Sequence, residues 1–420
     1  MTAPSRGAFR SLRNYNYRIW AAGALVSNTG TWMQRIAQDW LVLTQLTAHN
    51  ATAVGTVMAL QYGPHLVLLP FTGYTADLVD RRKLLLATQF GMGVLAATLG
   101  LLTITGAIRL WEVYVIALVQ GCITAFDAPA RHTFVAELVG ETDLSNAVAL
   151  NSTSFNAARM IGPAAAGLTI AAVGTGWAFL VNAASFVAVL GSLTLLRVGD
   201  LHRSDKATPP RGGLVDGFRY VWRRADLKTI LVMLFLIGTF GMNFPIFIST
   251  MSVTVFHAGA GEYGLLTSIM AIGTITGALL AAGREKPRFV LLIAGAAFFG
   301  LGCTLASVMP NYWLFGATLM IIGVSSLTFS NSSNSLMQLA TEPVMRGRVM
   351  AMRLAITLGG TPIGAPLVGW VADHFGPRWS LRVGAAAGFA AAIVGLFHIV
   401  RRRSELPAAG IPATSSDGTV

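Results

Sequence analysis

The sequence predicts an all-α polytopic membrane protein with about twelve transmembrane helices in two pseudo-symmetric six-helix bundles. Only 11% of its 420 residues are charged, against about a quarter in soluble domains, and 54% are apolar. Apolar stretches long enough to cross a hydrocarbon core of about 30 Å recur along the chain, without the alternation of barrel strands. The backbone polar groups must therefore be satisfied within helices, because lipid offers them no partner.

The predicted spans follow one another along the chain, each long enough for a membrane-crossing helix. They lie at about 19–44, 51–74, 84–106, 111–130, 144–173, 176–196, 228–255, 261–283, 288–308, 311–336, 347–372 and 378–400. The one long hydrophilic connection separates the sixth span from the seventh. We therefore divide the chain into an N-terminal six-helix bundle (1–196), a cytoplasmic central loop (197–227), a C-terminal six-helix bundle (228–403) and a disordered tail (404–420).

The central loop contains a predicted amphipathic helix in the segment GLVDGFRYVWRRADLK. Helical spacing puts Leu214, Phe218, Val221 and Trp222 on one side and Arg219, Arg223 and Arg224 on the other. A short helix with one apolar and one basic side is typical of a helix that lies in the membrane interface.

The net charge of +12 is distributed unevenly between the two sides of the predicted membrane. One side receives most of the basic residues, including Arg81, Arg82 and Arg401, whereas the other keeps only Arg109, Arg378 and Arg382. The positive-inside rule then places both termini and the central loop in the cytoplasm. This placement explains the charge as a topology signal, so we do not expect nucleic acid as a partner.

An internal repeat relates the two predicted bundles. Gly162, Gly167, Gly174 and Trp177 recur at identical spacing as Gly364, Gly369, Gly376 and Trp379, an offset of 202 residues. Duplicated helical bundles that enclose a site at the middle of the membrane are a transporter architecture. The repeat therefore favours a transporter over a receptor or a membrane enzyme.

The segment GYTADLVDRRK, between the second and third spans, resembles the signature loop of the major facilitator superfamily, with Gly73, Asp77, Asp80, Arg81, Arg82 and Lys83 at matching positions. The glycine allows close helix packing, and Asp77 can face a helix N-terminus or a basic residue of the other half. The resemblance implies a cytoplasmic gate formed by Gly73, Asp77, Arg81, Arg82, Asp127 and Arg131. The alternative is a basic turn that only anchors the topology.

The fifth span carries ARMIGPAAAG, which is similar to the antiporter motif of exporters in this superfamily through Gly162, Pro163 and Gly167. Proline bends the helix, and the small residues allow tight contact with a neighbour. The drug-exporter motif of the fourth span is only half present, because Ala117 stands where that motif has arginine. Over about 14–400 the chain most resembles the branch of the enterobactin exporter and macrolide efflux proteins. The resemblance implies a multi-pass protein of the bacterial cytoplasmic (inner) membrane.

The first span carries a polar stripe. Asn28, Trp32, Arg35 and Asp39 are spaced four, three and four residues apart, which places them on one side of a helix, next to Gln34. Charged residues within a span are costly and mark functional sites. We expect the stripe to line a cavity between the halves, with Asp39 carrying a coupling proton and Arg35 modulating it. The alternative is an Arg35–Asp39 pair that only fixes helix packing.

Other polar residues within spans complete the predicted substrate cavity. They are Arg159 in the fifth span, Asn243 in the seventh, and Asn331 and Asn334 in the run SSLTFSNSSNS of the tenth. Arg159 could hold an anionic substrate or neutralise Asp39 or Asp127. The tenth-span run could line a passage or form hydrogen bonds between helices, and Arg353 is expected to extend towards the membrane surface.

Several protein classes are not supported by the sequence. It has no phosphate-binding loop, zinc-protease pair or cysteine cluster, so we expect no cofactor, no metal and no enzyme activity. We predict a monomeric, proton-coupled antiporter that exports a small amphipathic compound such as a siderophore or a macrolide by alternating access. The alternatives are an importer of a small metabolite and a membrane scaffold or sensor.

Overall fold

The computed structural model describes the backbone of residues 7–202, 214–282 and 288–404, and their side chains except at 69–70, 73–78, 214–215, 282 and 402–404. The described part of the N-terminal half forms α1 (Tyr15–Trp40), α2 (Ala51–Leu78), α3 (Arg81–Ile104), α4 (Leu110–Val173) and α5 (Thr175–Thr194). A short helix, α6 (Leu214–Arg223), follows. The other half forms α7 (Ala225–Leu236), α8 (Phe244–Thr250), α9 (Ala260–Ala282), α10 (Phe289–Val308), α11 (Tyr312–Ala340), α12 (Arg346–Phe375) and α13 (Pro377–Ser404).

The all-α prediction is confirmed by these helices. In the described residues, nine helical segments are long and apolar enough to cross a membrane. One of them, α4, is 64 residues long and contains two crossings, because Gly140 leaves the helical conformation with φ 68° and ψ −177°. The helices α1 and α2 have 26 and 28 residues, which is also long enough for a crossing. A layout of twelve spans in two bundles follows.

The first and seventh spans depart from regular α-helix. The helix α1 continues as a π-helix over Leu41–Leu46. The seventh span is interrupted more strongly, by π-helical segments at Ile237–Gly241 and Met251–Val255 on either side of α8. Wider helical turns of this kind are frequent at functional sites. Both irregular spans border the central cavity described below.

The repeat predicted from the sequence is also present in the backbone conformation. Gly174 and Gly376 end α4 and α12 with the same φ of 96° and with ψ of 166° and 159°. A side chain would be strained at this φ, which explains glycine at both positions. Trp177 and Trp379, three residues further on, are 49% and 47% exposed. The two halves therefore turn from one span to the next in the same way.

The two halves meet along two helix pairs, α2 with α12 and α4 with α9. A Cβ atom on Gly369 would lie 2.5 Å from the Ala51 carbonyl oxygen, and one on Gly167 would lie 2.6 Å from that of Ala260. Small residues let the backbones approach this closely. We call the face that carries both ends of the described chain the basic face. All four of these residues lie at the opposite face. The opposite face is therefore closed in this conformation.

The helix α6 corrects part of the predicted interfacial helix. Val221, expected on the membrane side, is only 2% exposed and packs into the core. Phe218 and Trp222 are 52% and 61% exposed, as a membrane-facing pair should be. The helix thus uses one apolar residue to dock on the C-terminal half and two others to face outward. Residues 203–213 and the tail from 405 lie outside the described residues.

Candidate functional site

A cavity of about 200 Å³ lies between the two halves. The N-terminal half contributes Trp32, Arg35, Asp39, Gln61, Tyr62 and Arg159 to its wall. The C-terminal half contributes Met242, Phe244, Pro245, Tyr263, Met270 and Thr361. The first set is largely polar or charged and the second largely apolar. The cavity can therefore hold a molecule with one polar and one apolar side.

The helix α1 supplies the charged part of this wall, and the spacing of its stripe explains why. Trp32, Arg35 and Asp39 share one side of the helix, and all three border the cavity. The guanidinium carbon of Arg35 lies 4.7 Å from the centre of the Trp32 ring. The guanidinium carbon of Arg159, in the second membrane crossing of α4, lies 5.6 Å from the centre of the same ring. One aromatic ring thus holds two cations beside the cavity.

Asp39 and Arg35 form no direct ion pair in this conformation, so the structure does not support the alternative of a self-neutralising pair. No ion pair joins the two residues, both of whose side chains the structure describes. Asp39 is 8% exposed and accepts a hydrogen bond at 3.1 Å from the Tyr263 hydroxyl of α9. The physical reason is competition, because Trp32 attracts the guanidinium while Tyr263 binds the carboxylate. The Tyr263–Asp39 bond also links the two halves.

Arg159 also has no carboxylate partner among the described residues. Neither Asp39 nor Asp127 is within ion-pair distance of it, so the expected neutralisation does not occur. Two guanidinium groups therefore face a cavity that contains one carboxylate. An anionic or electronegative group in the cavity would be attracted to them.

A second cavity, of about 420 Å³, continues from the first within the N-terminal half. Arg35, Gln61 and Tyr62 border both cavities. Its other walls are mostly polar and include Asn28, Gln120, Asp127, Arg131, His132 and Asn156. Asn28 therefore faces this second cavity rather than the central one. Together the two cavities form a polar chamber that extends from the middle of the protein towards Arg131.

Asp127 forms the centre of a buried polar cluster. It accepts hydrogen bonds of 2.7 Å from both Thr88 and Gln89, and its carboxylate lies 2.9 Å from Arg131. Arg131 also donates to Asn28 at 3.1 Å. In this conformation Asp127 is therefore paired with Arg131 and not with Arg81 or Arg82 of the signature loop. Besides each other, the two residues have three partners within the N-terminal half, which are Thr88, Gln89 and Asn28.

The basic residues of the signature loop contact their own half. Arg81 forms an ion pair with Glu137, and Arg82 donates to the Leu193 carbonyl oxygen at 2.8 Å. The Asp77 side chain lies outside the described residues, and only the backbone of Gly73 and Asp77 is described, as part of α2. The cytoplasmic gate stays a prediction for these two residues.

Two predicted cavity residues lie elsewhere. Gln34 is 1% exposed and accepts a hydrogen bond of 2.5 Å from Asn182 of α5. It points into the N-terminal bundle because it is about 200° around the helix from Trp32. Asn243 is fully buried at the break in the seventh span and donates to the Thr239 carbonyl oxygen at 2.8 Å. Its amide therefore stabilises the break instead of facing the cavity.

The polar run of α11 lines neither central cavity, and part of it forms a hydrogen bond to another helix. Asn331 and Asn334 border neither central cavity. The hydroxyls of Ser325 and Ser333 donate to carbonyl oxygens of their own helix, at 2.7 and 2.8 Å. Serine commonly satisfies itself in this way within a helix. Arg353, expected at the membrane surface, instead donates to the Ser330 carbonyl oxygen of this run at 3.2 Å.

The antiporter-like motif lies where the helices pack most closely. A Cβ atom on Gly162 would lie 2.5 Å from that of Trp32 in α1. The Pro163 carbonyl group contacts Gly264 of α9, in the other half. Gly167 contacts Gly261 of the same helix. The motif therefore places α4 against the cavity-lining helix on one side and against the C-terminal half on the other.

Two residues of the site were missed by sequence reasoning. Tyr263 binds Asp39, and Asp373 joins α12 to the start of α2 by accepting from the Ala51 and Thr52 amides at 2.6 and 2.8 Å. Asp373 could have been found from the sequence, because it is a carboxylate in a predicted turn with few other charges. Nothing in the local sequence distinguishes Tyr263 from other tyrosines near span ends.

Two helical bundles related by a repeat, with a polar cavity between them, define a membrane transporter. A family model described as "Transmembrane secretion effector" matches residues 6–413. The chain belongs to this family of the major facilitator superfamily, which confirms the resemblance drawn from the signature loop. It is a multi-pass membrane transporter and not an enzyme.

Relatives with assigned activities match almost the whole chain. The staphyloferrin A transporter of Staphylococcus aureus is 26% identical over 382 residues, covering 90% of this chain and 94% of that protein. The enterobactin exporter EntS of Shigella flexneri is 26% identical, covering 85% and 84%. Macrolide efflux protein A of Streptococcus pyogenes is 22% identical, covering 92% and 96%. These relatives are transporters of siderophores or drugs.

Solved structures share the fold. The nucleoside transporter NupG superposes with a TM-score of 0.74 at 13% identity, covering 92% of this chain and 99% of that one. A bacterial homologue of the human lysosomal transporter Spinster, solved in an inward-facing conformation, gives a TM-score of 0.70 at 14% identity, covering 95% and 99%. At these identities the likeness concerns the fold alone.

Proposed function

We propose that this protein exports a small amphipathic compound, such as a siderophore, a macrolide or another drug-like molecule, by alternating access in exchange for protons. The observation that carries the proposal is the central cavity, where Arg35 and Arg159 flank Trp32 opposite an apolar wall. The activities of the relatives support export over the alternative of import.

The substrate site is assigned to Trp32, Arg35 and Arg159, with Met242 and Phe244 facing them. An aromatic or otherwise flat apolar part of the substrate packs against the methionine and phenylalanine. An electronegative part, such as a carboxylate, catecholate or lactone oxygen, meets the two guanidinium groups. Asn28 and the second cavity provide the route by which the substrate enters from the basic face.

Alternating access requires a second conformation, closed on the basic face. The packing of α2 against α12 and of α4 against α9 closes the opposite face in the conformation described above. In the second conformation, Gly73 allows close packing at the basic face and Asp77 pairs with the other half. Arg81, Arg82 and the Asp127–Arg131 cluster keep the signature loop and the fourth span in place. The glycines and Pro163 of α4 let the halves re-pack.

Proton coupling is assigned to Asp39, with Arg35 as its modulating neighbour. The carboxylate is almost buried, borders the cavity and holds Tyr263 of the other half. Separating α1 from α9 breaks this hydrogen bond and exposes the carboxylate to the opposite side. A proton that enters from that side can then be carried inward, while the substrate leaves. The charge state of Asp39 is thereby linked to the position of the halves.

The protein is assigned to the bacterial inner membrane as a monomer with both termini in the cytoplasm. The unequal distribution of basic residues supports this orientation. Single cysteines at Asp200 and Thr105, both exposed and on opposite faces, test it in a variant without the native cysteines. Only the Thr105→Cys variant should react with an impermeant maleimide added outside intact cells. Labelling of Asp200→Cys from outside would reverse the orientation.

Flux in proteoliposomes tests the transport proposal. The purified protein is reconstituted with an imposed pH gradient, and uptake of a labelled catecholate siderophore and of a labelled macrolide is measured. We expect accumulation of at least one compound against its gradient, abolished by a protonophore. A Trp32→Ala variant that inserts normally should lose accumulation. No gradient-driven flux of either compound, or equal flux in the variant, would contradict the proposal.

A further inference from the structure

Gln38 of α1 has an unused hydrogen-bond donor at the wall of the central cavity. Its side chain is only 1% exposed and borders the cavity of about 200 Å³. The Nε2 atom has no hydrogen-bond partner among the residues whose side chains the structure describes. Buried amide nitrogens without an acceptor are costly and therefore rare in native proteins. At a binding cavity, a ligand that brings an acceptor removes this cost.

A chain of side-chain amides in the N-terminal bundle determines that the free atom of Gln38 is a donor. Asn182 donates to Gln34 at 2.5 Å, and Gln34 donates to the side-chain oxygen of Gln120 at 3.5 Å. Gln61 presents its NH2 group to this same oxygen at 3.4 Å. The NH2 group of Gln61 also donates to the Gln38 oxygen at 3.2 Å. The oxygen of Gln38 is therefore occupied, and its NH2 group remains for a ligand.

The charged groups at the same wall also favour an acceptor. Arg35 and Arg159 border the cavity, and neither forms an ion pair within the part of the chain whose side chains are described. Asp39 is the one carboxylate among the described residues that border it, and it is already bound by the Tyr263 hydroxyl. A ligand therefore meets one amide donor and two guanidinium groups. An oxygen acceptor with negative charge is complementary to this wall, and an ammonium group is repelled by it.

We propose that Gln38 contacts the substrate and determines specificity, so that the cavity takes compounds whose polar end is a carboxylate or catecholate in preference to an amine. This inference rests on the proposed function and narrows its substrate class. The NH2 group of Gln38 donates to one oxygen of the polar end, while Arg35 and Arg159 neutralise its charge. A site built around hydrogen-bond donors rejects an analogue that lacks the acceptor, because the donors are then left unpaired. Drugs whose polar end is an amine are therefore poor substrates.

Binding of two aromatic probes to the purified full chain tests the proposal without any ion gradient. Tritiated naphthoate carries two oxygen acceptors and a negative charge, whereas naphthylmethylamine has the same rings and a cationic group at neutral pH. A scintillation proximity assay measures the affinities, and binding beyond that of the Trp32→Ala variant is counted as specific. Wild type should bind naphthoate at least about tenfold more tightly than the amine. No specific binding of naphthoate, or equal binding of the amine, would overturn the proposal.

Two substitutions remove the Gln38 donor in different ways. Gln38→Met keeps the length of the side chain, and Gln38→Glu keeps an oxygen that accepts from Gln61. Each should weaken naphthoate binding about tenfold, as expected for the loss of one hydrogen bond to a charged acceptor. Binding of the amine should become no weaker, because the amine offers this donor no acceptor. An unchanged affinity for naphthoate in both variants would contradict the proposed contact.

Gln34→Met is the matched control, because Gln34 lies in the same helix and is also 1% exposed but borders neither central cavity. It should leave naphthoate binding unchanged, and an equal loss there would show a packing effect in place of a contact. Methyl naphthoate keeps the oxygen acceptors without the charge, so Gln38→Met should weaken its binding too; an unchanged affinity for the ester would exclude the hydrogen bond. Binding that depends on Gln38 in a protein without gradient-driven flux would support this inference and refute export.

Discussion

Asp373 should hold the opposite face closed, and its removal should open that face. The carboxylate belongs to α12 and accepts from the amide groups of Ala51 and Thr52, the first two residues of α2, at 2.6 and 2.8 Å. It also accepts from the Thr52 hydroxyl at 2.5 Å. One side chain of the C-terminal half thus caps a helix of the N-terminal half. The cap exists only while the two halves are together.

The size of the effect follows from these contacts. A helix cap contributes about 1 kcal/mol and up to about 2 kcal/mol, and a carboxylate at a helix N-terminus gains a further few tenths from the dipole. The Asp373 residue is exposed, so solvent screens part of the charge. We therefore expect Asp373→Ala to destabilise the closed arrangement by about 1.4 kcal/mol, which changes the ratio of closed to open molecules about tenfold.

Distance measurement between spin labels can detect this change. Labels at Thr105 and Pro310 place one probe on each half at the opposite face, in a variant without the native cysteines. Asp373→Ala should add a population with longer distances. The control is Glu112→Gln, which removes a carboxylate from the same face that caps its own half through the Arg109 amide at 2.9 Å. Identical distance distributions for the Asp373 and Glu112 variants would refute the reasoning.

Four further outcomes follow from the site. Asp39→Asn should abolish pH-driven accumulation in proteoliposomes but keep downhill exchange, and retained uphill transport would make Asp39 structural. Tyr263→Phe should lower the pH dependence of transport. The variant loses only the hydrogen bond from Tyr263 to Asp39, worth about 1 kcal/mol, so substrate binding measured by calorimetry should change less than about tenfold. Gly264→Val should separate α9 from α4 and reduce the closed population in the spin-label assay, whereas Gly191→Val, with no atom within 4 Å of an added Cβ, should not. Asp77→Asn should reduce flux with normal membrane insertion, and normal flux would leave the loop as a topology anchor.

Hydropathy and residue spacing were sufficient for the fold class, because both are local properties of the chain. The spans could be located by their apolar length, and their ends differ where α4 runs from Leu110 to Val173 through the two predicted spans 111–130 and 144–173. The glycine repeat predicted the duplicated turns at Gly174 and Gly376, because a positive φ selects glycine. The stripe of α1 could be assigned to a cavity because charged groups avoid lipid.

The partners of the polar side chains could not be derived in this way. Arg35 and Asp39 are four residues apart on one helix, which predicts a pair, yet Trp32 and Tyr263 engage them separately. Gln34 is polar and next to the stripe, but its contact is Asn182 of α5. In each case the choice depends on a side chain brought close by another helix.

The sequence by itself determined that this protein is a helical membrane transporter with a polar stripe in its first span, since apolar length, periodicity and repeats depend only on the order of the residues. Only the tertiary structure decided that Arg159 shares the Trp32 ring with Arg35, that Tyr263 binds Asp39, and that Asp373 caps α2. These contacts join residues more than a hundred positions apart. Their energies depend on distances and angles between packed helices, which no local pattern contains.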